Sequence, residues 1–419
     1  MVNSVSLVSA IDSPTSMNPL SPDSGSIAMK QLRDFEPLNV ERQLAVEAGL
    51  TSQVAAFRKW LAAISAREFA GAAIKGLYPA MVFESIAKRS FQGHPLIPGP
   101  RLEAVMMRWR TMVHDHRRAF RSEAEMSEDV TRLCDLTDAS ISRLFSASAT
   151  FVTEDHETSL LRANEIITLR RNTVEVRISE RHWRRLSELF CGSPCDLVPA
   201  AFVMLLRYST VMEGDPGWHA AVPGSIFRAI RGHWGEYAEC FANPLNTSSA
   251  VFCSAFPDVD SRFGSRGSFF DNAFNSGIFC ANPPFDHAVS LATAHHVVNE
   301  LARCADNIVL TFIVFLPGSD GGVPLQSLSA FKEVLLDVRH RFVCNHETIA
   351  GVDSPFLDGA QHVYIEEKRF TPRLDTVVFV AQSPAAERKF PSVEGLRSIK
   401  AAWVALGDAG DVGQKRRRT

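Results

Sequence analysis

The chain has 419 residues, of which 46% are apolar and 22% charged, and its formal net charge at pH 7 is -3. These proportions are typical of a folded globular protein, and the length suffices for two or three domains. The small net charge excludes a molecule-wide attraction to a polyanion, so any contact with nucleic acid must come from a local patch. No run of about 18 apolar residues is present, which predicts that the chain has no membrane-spanning helix.

The N-terminal third is predicted to contain a disordered tail followed by a helical domain. Residues 1–37 are rich in Ser, Pro and Asn and have few large apolar side chains, so we expect them to stay disordered. Residues 38–160 are predicted to form an all-helical domain, because strong helix formers there carry apolar residues three and four positions apart. In this domain Arg110 and Arg117 share a helix face with other basic residues. That face could bind RNA phosphates, or it could be an ordinary solvated face balanced by nearby acids.

Residues 161–385 are predicted to form an α/β domain with a mainly parallel sheet that is covered by helices on both faces. The stretch EIITLRRNTVEVRIS predicts a short strand pair at its start, and strand-like runs then alternate with helical patterns, as is typical of crossover units. The strand-like runs are WHAAVP, YAECFAN, VFCSAFP, GIFCANPPF, NIVLTFIVFLP and RLDTVVFVAQ. Residues 386–419 are predicted to be a C-terminal tail. Its basic end, KRRR at 415–418, is either a nuclear import signal or a solvated run.

The most informative motif is Asn282-Pro283-Pro284-Phe285, which follows an apolar run at 277–281. Open α/β sheets bind ligands beyond the carboxyl ends of their strands, so we expect the motif at the usual ligand position. Asp286 is expected to cap the helix that follows. The two prolines restrict the loop and so hold an amide, peptide carbonyls and an aromatic ring in fixed positions.

This combination of groups fits an aromatic amine, such as the N6 amine of adenine. The lone pair of that amine is delocalised into the ring, and methylation requires the nitrogen to become tetrahedral. The side-chain oxygen of Asn282 and the carbonyl of Pro283 would accept its two hydrogens in the transition state. Pro284 would hold the loop, and Phe285 would stack on the base. The alternative interpretation is an ordinary Pro-Pro turn after a strand.

Six blocks occur in one order along the chain: HAAVP (219–223), ECFANPLN (239–246), CSAFPD (253–258), FGSRGSFFD (263–271), ANPPF (281–285) and FIVFLP (312–317). Together they resemble the phosphorylated-CTD-interacting-factor family of cap-specific mRNA (2'-O-methyladenosine-N6-)-methyltransferases. The resemblance implies a Rossmann-like, S-adenosylmethionine-dependent methyltransferase sheet with a helical domain packed on it. It also implies S-adenosylmethionine as the cofactor and the adenosine beside the cap of an mRNA 5′ end as the substrate.

The resemblance also implies where the cofactor and the substrate bind. Cofactor contacts are expected near three strand ends and at the motif, from Ala221, Val222, Pro223, Phe241, Asn243, Pro244, Phe270, Asp271 and Asn282. An acid at a strand end can bind ribose hydroxyls, which makes Glu239 a further candidate beside Asp271; an ordinary surface acid is an equal alternative for Glu239. Substrate contacts are expected from Phe285, Asp286 and His287, and from the basic face that carries Arg110 and Arg117.

Three features depart from the family pattern. The first tryptophan is Trp60, inside a predicted helix, so the two-tryptophan module that binds a polymerase tail in longer members is expected to be missing. His287 stands where the family has an acid, and residues 318–322 replace a basic, aromatic loop.

Cys191 and Cys195 have no second pair, so no metal site is predicted. Two other functions stay open: methylation of adenine in internal RNA or DNA, and a catalytically idle module that binds RNA or a partner.

Overall fold

The computed structural model describes residues 27–31, 82–83, 85–87, 157–212, 220–320 and 323–416. The described part is an α/β structure with one mixed sheet, a small three-stranded sheet and two short hairpins. Its strands are β1 (Ala28–Gln31), β2 (Ser159–Ala163), β3 (Ile166–Arg171), β4 (Val174–Ser179), β5 (Ala238–Ala242), β6 (Phe252–Ser254), β7 (Asn272–Ala281), β8 (Leu310–Pro317), β9 (Ser319–Asp320), β10 (Val323–Pro324), β11 (Val343–Ile349), β12 (Phe356–Leu357), β13 (Arg369–Phe370) and β14 (Thr376–Gln382). Its α-helices are α1 (Glu180–Leu189), α2 (Leu197–Met212), α3 (Gly224–Trp234), α4 (Pro257–Asp260), α5 (His287–Arg303), α6 (Gln326–Leu335), α7 (Pro384–Lys389) and α8 (Ser392–Arg416). Among these helices, none combines the length and apolar character that a membrane crossing requires.

The N-terminal predictions are tested only in part. Most of the predicted helical domain, including Arg110, Arg117 and Trp60, lies outside the described residues, and the short pieces described at 82–83 and 85–87 are helical. Within the tail predicted to be disordered, β1 forms a strand that pairs antiparallel with β7. The disorder prediction is therefore wrong for residues 28–31, because the first residues of β7 extend beyond its pairing with β5 and β8 and supply backbone hydrogen bonds that composition cannot indicate.

The small sheet confirms the strand pair predicted from EIITLRRNTVEVRIS, which forms β3 and β4, and β2 adds a third antiparallel strand. Asn164 and Glu165, the two residues between β2 and β3, have φ angles of 50° and 62°. Positive φ at both positions is the geometry of the tight hairpin turn that matches the strand twist. Ile167 and Ile178 on the inner face are buried in one cluster with the apolar residues of α2. This sheet therefore closes the core on the side of α2.

The mixed sheet has the strand order β11-β14-β8-β7-β5-β6. β6, β5, β7 and β8 run parallel, as predicted, and β8 is buried along its whole length. β14 is antiparallel to both of its neighbours, β8 and β11, so the prediction of a mainly parallel sheet is wrong at this end. β11 leads to β14 through the loop and hairpin of residues 350–375 rather than through a helix, and this return reverses the chain direction. β11 (VCNHETI) was not predicted, because it is an edge strand with polar, half-exposed residues.

The C-terminal residues, predicted to be a tail, instead form α7 and α8. Leu396, Ile399 and Trp403 of α8 are buried in one cluster with residues of α3 and of the mixed sheet. Trp403 Nε1 also donates a hydrogen bond to the carbonyl oxygen of Pro355 at 3.1 Å. The three side chains are spaced three and four positions apart, so they share one helix face. The tail prediction is therefore wrong for this segment, which covers one face of the sheet while α5 and α6 cover the other.

Candidate active site

A cavity of about 620 Å³, open in part to solvent, lies at the carboxyl ends of β5, β6 and β7. Its aromatic walls are Phe83, Phe241, Phe269 and Phe270. Its polar lining residues are Tyr208, Asn243, Asn246, Ser254, Ser268 and Asn282. The cavity thus occupies the edge of the sheet at which the sequence predicts the motif, and Asn282 and Pro284 form part of its wall.

The Asn282 side chain is held in one orientation. Its Nδ2 donates a hydrogen bond to the carbonyl oxygen of Ala220 at 2.8 Å. A carbonyl can only accept, so the amide nitrogen must face Ala220 and the amide oxygen must face away from it. That oxygen, Oδ1, is buried and accepts no hydrogen bond from any residue that the structure describes. A buried acceptor without a donor is unfavourable by about 1–3 kcal/mol, so Asn282 Oδ1 is suited to a donor that a ligand brings.

The other motif residues have different surroundings. Pro283 is buried, and the carbonyl oxygen of Pro284 accepts a hydrogen bond from the Asp286 amide at 2.7 Å. Phe285 is 39% exposed and is not part of the cavity lining. Its ring lies perpendicular to that of Phe356, with 6.5 Å between the ring centroids. The motif therefore presents an oriented amide to the cavity and an aromatic ring to solvent beside it.

Asp286 and His287, predicted to contact the substrate, do not line the cavity. Asp286 is buried, and its Oδ1 accepts the amides of Ala288 and Val289 at 2.9 and 3.3 Å. This geometry confirms the predicted helix cap and explains why the carboxylate is turned toward α5. His287 is the first residue of α5 and is half-buried.

Besides Asn282, three of the predicted cofactor contacts line the cavity: Phe241, Asn243 and Phe270. The rings of Phe241 and Phe270 meet edge to face, with centroids 5.8 Å apart. Asn243 Oδ1 accepts the amides of Leu245 and Asn246 at 2.8 and 3.1 Å, so this side chain shapes the loop after β5. Pro244 lies buried within the same loop and does not line the cavity.

Glu239 is neither at a strand end nor on the surface. It is the second residue of β5, is buried, and does not line the cavity. Its Oε1 accepts hydrogen bonds from Thr247 Oγ1, from the amide and hydroxyl of Ser248 and from the amide of Ser249, at 2.6–3.0 Å. Burial raises the pKa of Glu239, and these donors oppose that change. The carboxylate therefore holds the 247–249 loop.

The remaining predicted cofactor residues were expected near strand ends, but they lie in other local structures. Ala221 is not in a strand: it makes a two-bond bridge with Leu357, at 2.9 and 3.1 Å. Val222 is buried next to it, and Pro223 precedes the first residue of α3 as its cap. Asp271 belongs to a 3-10 turn (Phe269–Asp271) that leads into β7, rather than to the end of a strand. None of these four residues lines the cavity, whereas the neighbouring Ala220 does.

Sequence reasoning missed two buried polar pairs that join α2 to α4. Arg207 Nη1 and Nη2 donate to the Asp258 carboxylate at 3.0 and 2.6 Å, and the Tyr208 hydroxyl donates to Asp260 Oδ2 at 2.6 Å. Burial raises the pKa of Asp260 to about 7, although the hydrogen bond from Tyr208 opposes this. Tyr208 lines the cavity, so the second pair fixes part of its wall. The available signal was the pair RY within the apolar helix PAAFVMLLRYSTVM, followed by two acids in PDVD.

Comparison with known proteins relates this site to one family. Residues 186–345 match the model of a family described as "Phosphorylated CTD interacting factor 1 WW domain". Over 257 residues the chain is 29% identical to a human and 28% identical to a mouse protein, both named mRNA (2'-O-methyladenosine-N(6)-)-methyltransferase. Each comparison covers 58% of this chain and only 35% of the relative's length. The family resemblance carried by the six sequence blocks is confirmed, and the matched region includes the cavity strands and Asn282.

Proposed function

We propose that this chain, a relative of the phosphorylated-CTD-interacting-factor proteins, transfers a methyl group from S-adenosylmethionine to the N6 amine of adenosine in RNA. The proposed substrate is the (2'-O-methyl)adenosine beside the cap of an mRNA, because the two relatives are named for that reaction. The observation that carries the proposal is the Asn282 side chain. It lines the cavity with its amide oriented by Ala220 and its Oδ1 buried without a donor among the described residues.

The proposed reaction depends on positioning and electrostatics. Asn282 Oδ1 and the carbonyl oxygen of Pro283 accept the two hydrogens of the N6 amine, which favours the tetrahedral nitrogen of the transition state over the flat ground state. Phe285 stacks on the purine from the solvent side, which contributes about 1–3 kcal/mol by analogy with other base–aromatic contacts. No tuned base is needed, because the methylated, cationic amine releases its proton to water.

The cavity lining fits S-adenosylmethionine as the cofactor. Phe241, Phe270 and Tyr208 offer aromatic faces for an adenine ring, and Asn246, Ser254 and Ser268 offer polar groups for a ribose or an amino acid part. When bound, this cofactor supplies a methyl group on a sulfonium, which is electrophilic enough to react with a weakly nucleophilic amine. Four parallel strands with helices on both faces and a cavity at their carboxyl ends support the assignment of a Rossmann-like methyltransferase fold.

The proposal is tested by offering S-adenosylmethionine with a labelled methyl group and RNAs that are capped or uncapped and begin with A or G. Nucleoside analysis should find N6-methylated adenosine only in the capped RNA that begins with A. Equal transfer to uncapped RNA or to DNA would instead indicate an internal adenine as the substrate. Failure of S-adenosylmethionine to bind in calorimetry would indicate a catalytically idle module.

The role of Asn282 is tested by Asn282→Ala. We expect kcat to fall by about 10²-fold or more, by analogy with the loss of one hydrogen-bonding group from an oxyanion hole, with little change in the affinity for S-adenosylmethionine. Asn299→Ala, the same substitution on the exposed face of α5, is the matched control and should keep the parent's kcat. Equal kcat for Asn282→Ala and the parent would rule out the proposed mechanism.

A nuclear location is part of the proposal and rests on the basic residues at 415–418 and on the family. Replacing these four residues with serine in a fluorescent fusion should move the protein from the nucleus to the cytoplasm.

A further inference from the structure

We propose that a basic surface on β4 and α1 binds the backbone phosphates of the RNA strand that leads away from the target adenosine. This arginine surface consists of Arg177 on β4 and of Arg181, Arg184 and Arg185 on α1. The inference rests on the proposed function, since it extends the same RNA substrate beyond the cavity.

The backbone geometry of α1 separates a buried face from a cationic face. Trp183 and Leu186 are buried, whereas Arg181 and Arg184 are exposed and lie about one helical turn apart on the opposite face. Arg177 is also exposed, because the buried residues of β4 alternate with exposed ones along the strand. Arg177, Arg181 and Arg184 are therefore exposed to solvent on two adjacent elements, whereas Arg185 is half-buried and its Nε is buried.

The arginine surface differs from the other exposed basic residues nearby. Arg162 pairs with Glu180, Arg170 with Glu175, and Arg369 with Glu367. In contrast, no carboxylate in the described ranges lies within ion-pair distance of the four arginines that form the arginine surface. An uncompensated arginine cluster on a protein whose net charge is negative is a local patch suited to phosphates, which arginine binds in a bidentate manner.

The pKa of one neighbouring histidine, His182, reflects the positive charge of this surface. Burial lowers the pKa of His182 to about 4, and the charges of Arg181 and Arg185 lower it in the same direction. Burial also lowers the pKa of His362 to about 4, although the nearby charge of Asp358 opposes this change. Both rings are therefore neutral near pH 7, and the positive charge of the surface comes from the arginines at all physiological pH values.

Hydrogen bonds and packing contacts, joined by a short stretch of chain, connect the arginine surface to the motif. Asn282 Nδ2 binds the carbonyl of Ala220, and Ala221 bridges to Leu357 on β12. A few residues beyond β12, the 3-10 turn Gln361–Val363 packs against β4, where His362 lies close enough to His182 to affect its pKa. An RNA strand leaving the cavity past Phe285 would cross this hairpin region and reach the arginines of α1.

The test compares a variant of the arginine surface with a matched control. The double variant Arg181→Ser/Arg184→Ser removes two exposed positive charges. It leaves the buried face of α1 unchanged, because neither arginine lies on that face. Arg339→Ser removes an exposed arginine that pairs with Asp337, far along the chain, and serves as the control. Binding of an uncapped RNA of about 12 nucleotides is measured by fluorescence anisotropy at several salt concentrations, because phosphate contacts are recognised by their salt dependence.

We expect the double variant to bind this RNA about 10-fold or more weakly, with a log–log salt slope smaller by roughly 1.4, or about 0.7 for each lost phosphate contact. In methyl-transfer assays its KM should rise for the long capped RNA and stay unchanged for a capped dinucleotide, with kcat the same for both. Arg181→Lys/Arg184→Lys should recover part of the affinity, since the charge remains.

RNA affinity and salt slope equal to those of the parent would overturn the proposal, and would leave an acidic protein segment as the partner to test. The binding measurement needs no methyl transfer. If the parent methylates none of the RNAs, the proposed function fails, while the anisotropy comparison still decides whether the arginine surface binds RNA.

Discussion

Replacing Asp260 with asparagine is expected to stabilise the protein near pH 7 and to change its stability little near pH 4. Asp260 is fully buried, and its Oδ2 accepts the hydroxyl of Tyr208. Burial raises its pKa from 3.8 to about 7. Because the folded state binds this proton more tightly than the unfolded chain does, Asp260 stabilises the fold below about pH 4, and this contribution is lost as the pH rises toward 7. Asparagine keeps an acceptor oxygen for Tyr208 and cannot ionise.

The size of the effect follows from the difference in pKa. The pKa of Asp260 differs by about three units between the folded and unfolded states, and each unit corresponds to about 1.4 kcal/mol. Ionisation of Asp260 therefore destabilises the folded protein by up to about 4 kcal/mol at pH 7 and above. The stability of Asp260→Asn relative to the parent should rise by about 1.4 kcal/mol per pH unit between pH 4 and 7, and then stay constant.

The assay is the free energy of unfolding from urea titrations of the parent and of Asp260→Asn, measured at several pH values from 4 to 8.5. Asp353→Asn, which removes an exposed carboxylate, controls for the general effect of losing a negative charge. A stability difference between Asp260→Asn and the parent that is the same at every pH would contradict this prediction, because it would mean that the pKa of Asp260 does not change on folding.

Two further predictions concern the C-terminal helix and the motif. Trp403→Ala should lower the free energy of unfolding by about 3–5 kcal/mol, because the side chain is fully buried between α8 and the sheet, and Trp403→Phe should lower it less. Urea denaturation measures both changes. An unchanged denaturation midpoint for Trp403→Ala would contradict the packing of α8 on the sheet. Phe285→Ala should raise the KM for the RNA substrate by about 5- to 100-fold through the loss of stacking, while Phe285→Tyr should keep it. Steady-state kinetics measure this change, and an unaltered KM for Phe285→Ala would show that the exposed ring does not contact the base.

Local features of this protein were predictable because they depend on residues that are close in the chain. The apolar run before the motif forms the end of β7, and Asp286 caps α5 through amides two and three residues away. The alternation in EIITLRRNTVEVRIS gives β3 and β4, and the continuous apolar run of β8 is buried at every position. Each of these outcomes follows from backbone geometry over a few residues.

Features that depend on distant residues were not predictable. Asp258 and Asp260 find their partners on α2, 51 and 52 residues earlier, and Trp403 binds a carbonyl 48 residues away. The reversed direction of β14 depends on the path of the chain between residues 350 and 375, which local propensity does not specify.

The motif, the strand that precedes it, the cap that follows it and the family resemblance can all be read from the order of the amino acids. Which polar groups remain available at the cavity depends on how distant parts of the chain pack together. Asn282 keeps a buried acceptor without a donor among the described residues, whereas the Glu239 and Asp286 carboxylates accept hydrogen bonds from the chain itself. This is so because a polar side chain acts through the donors and acceptors within about 3 Å, and folding decides which these are.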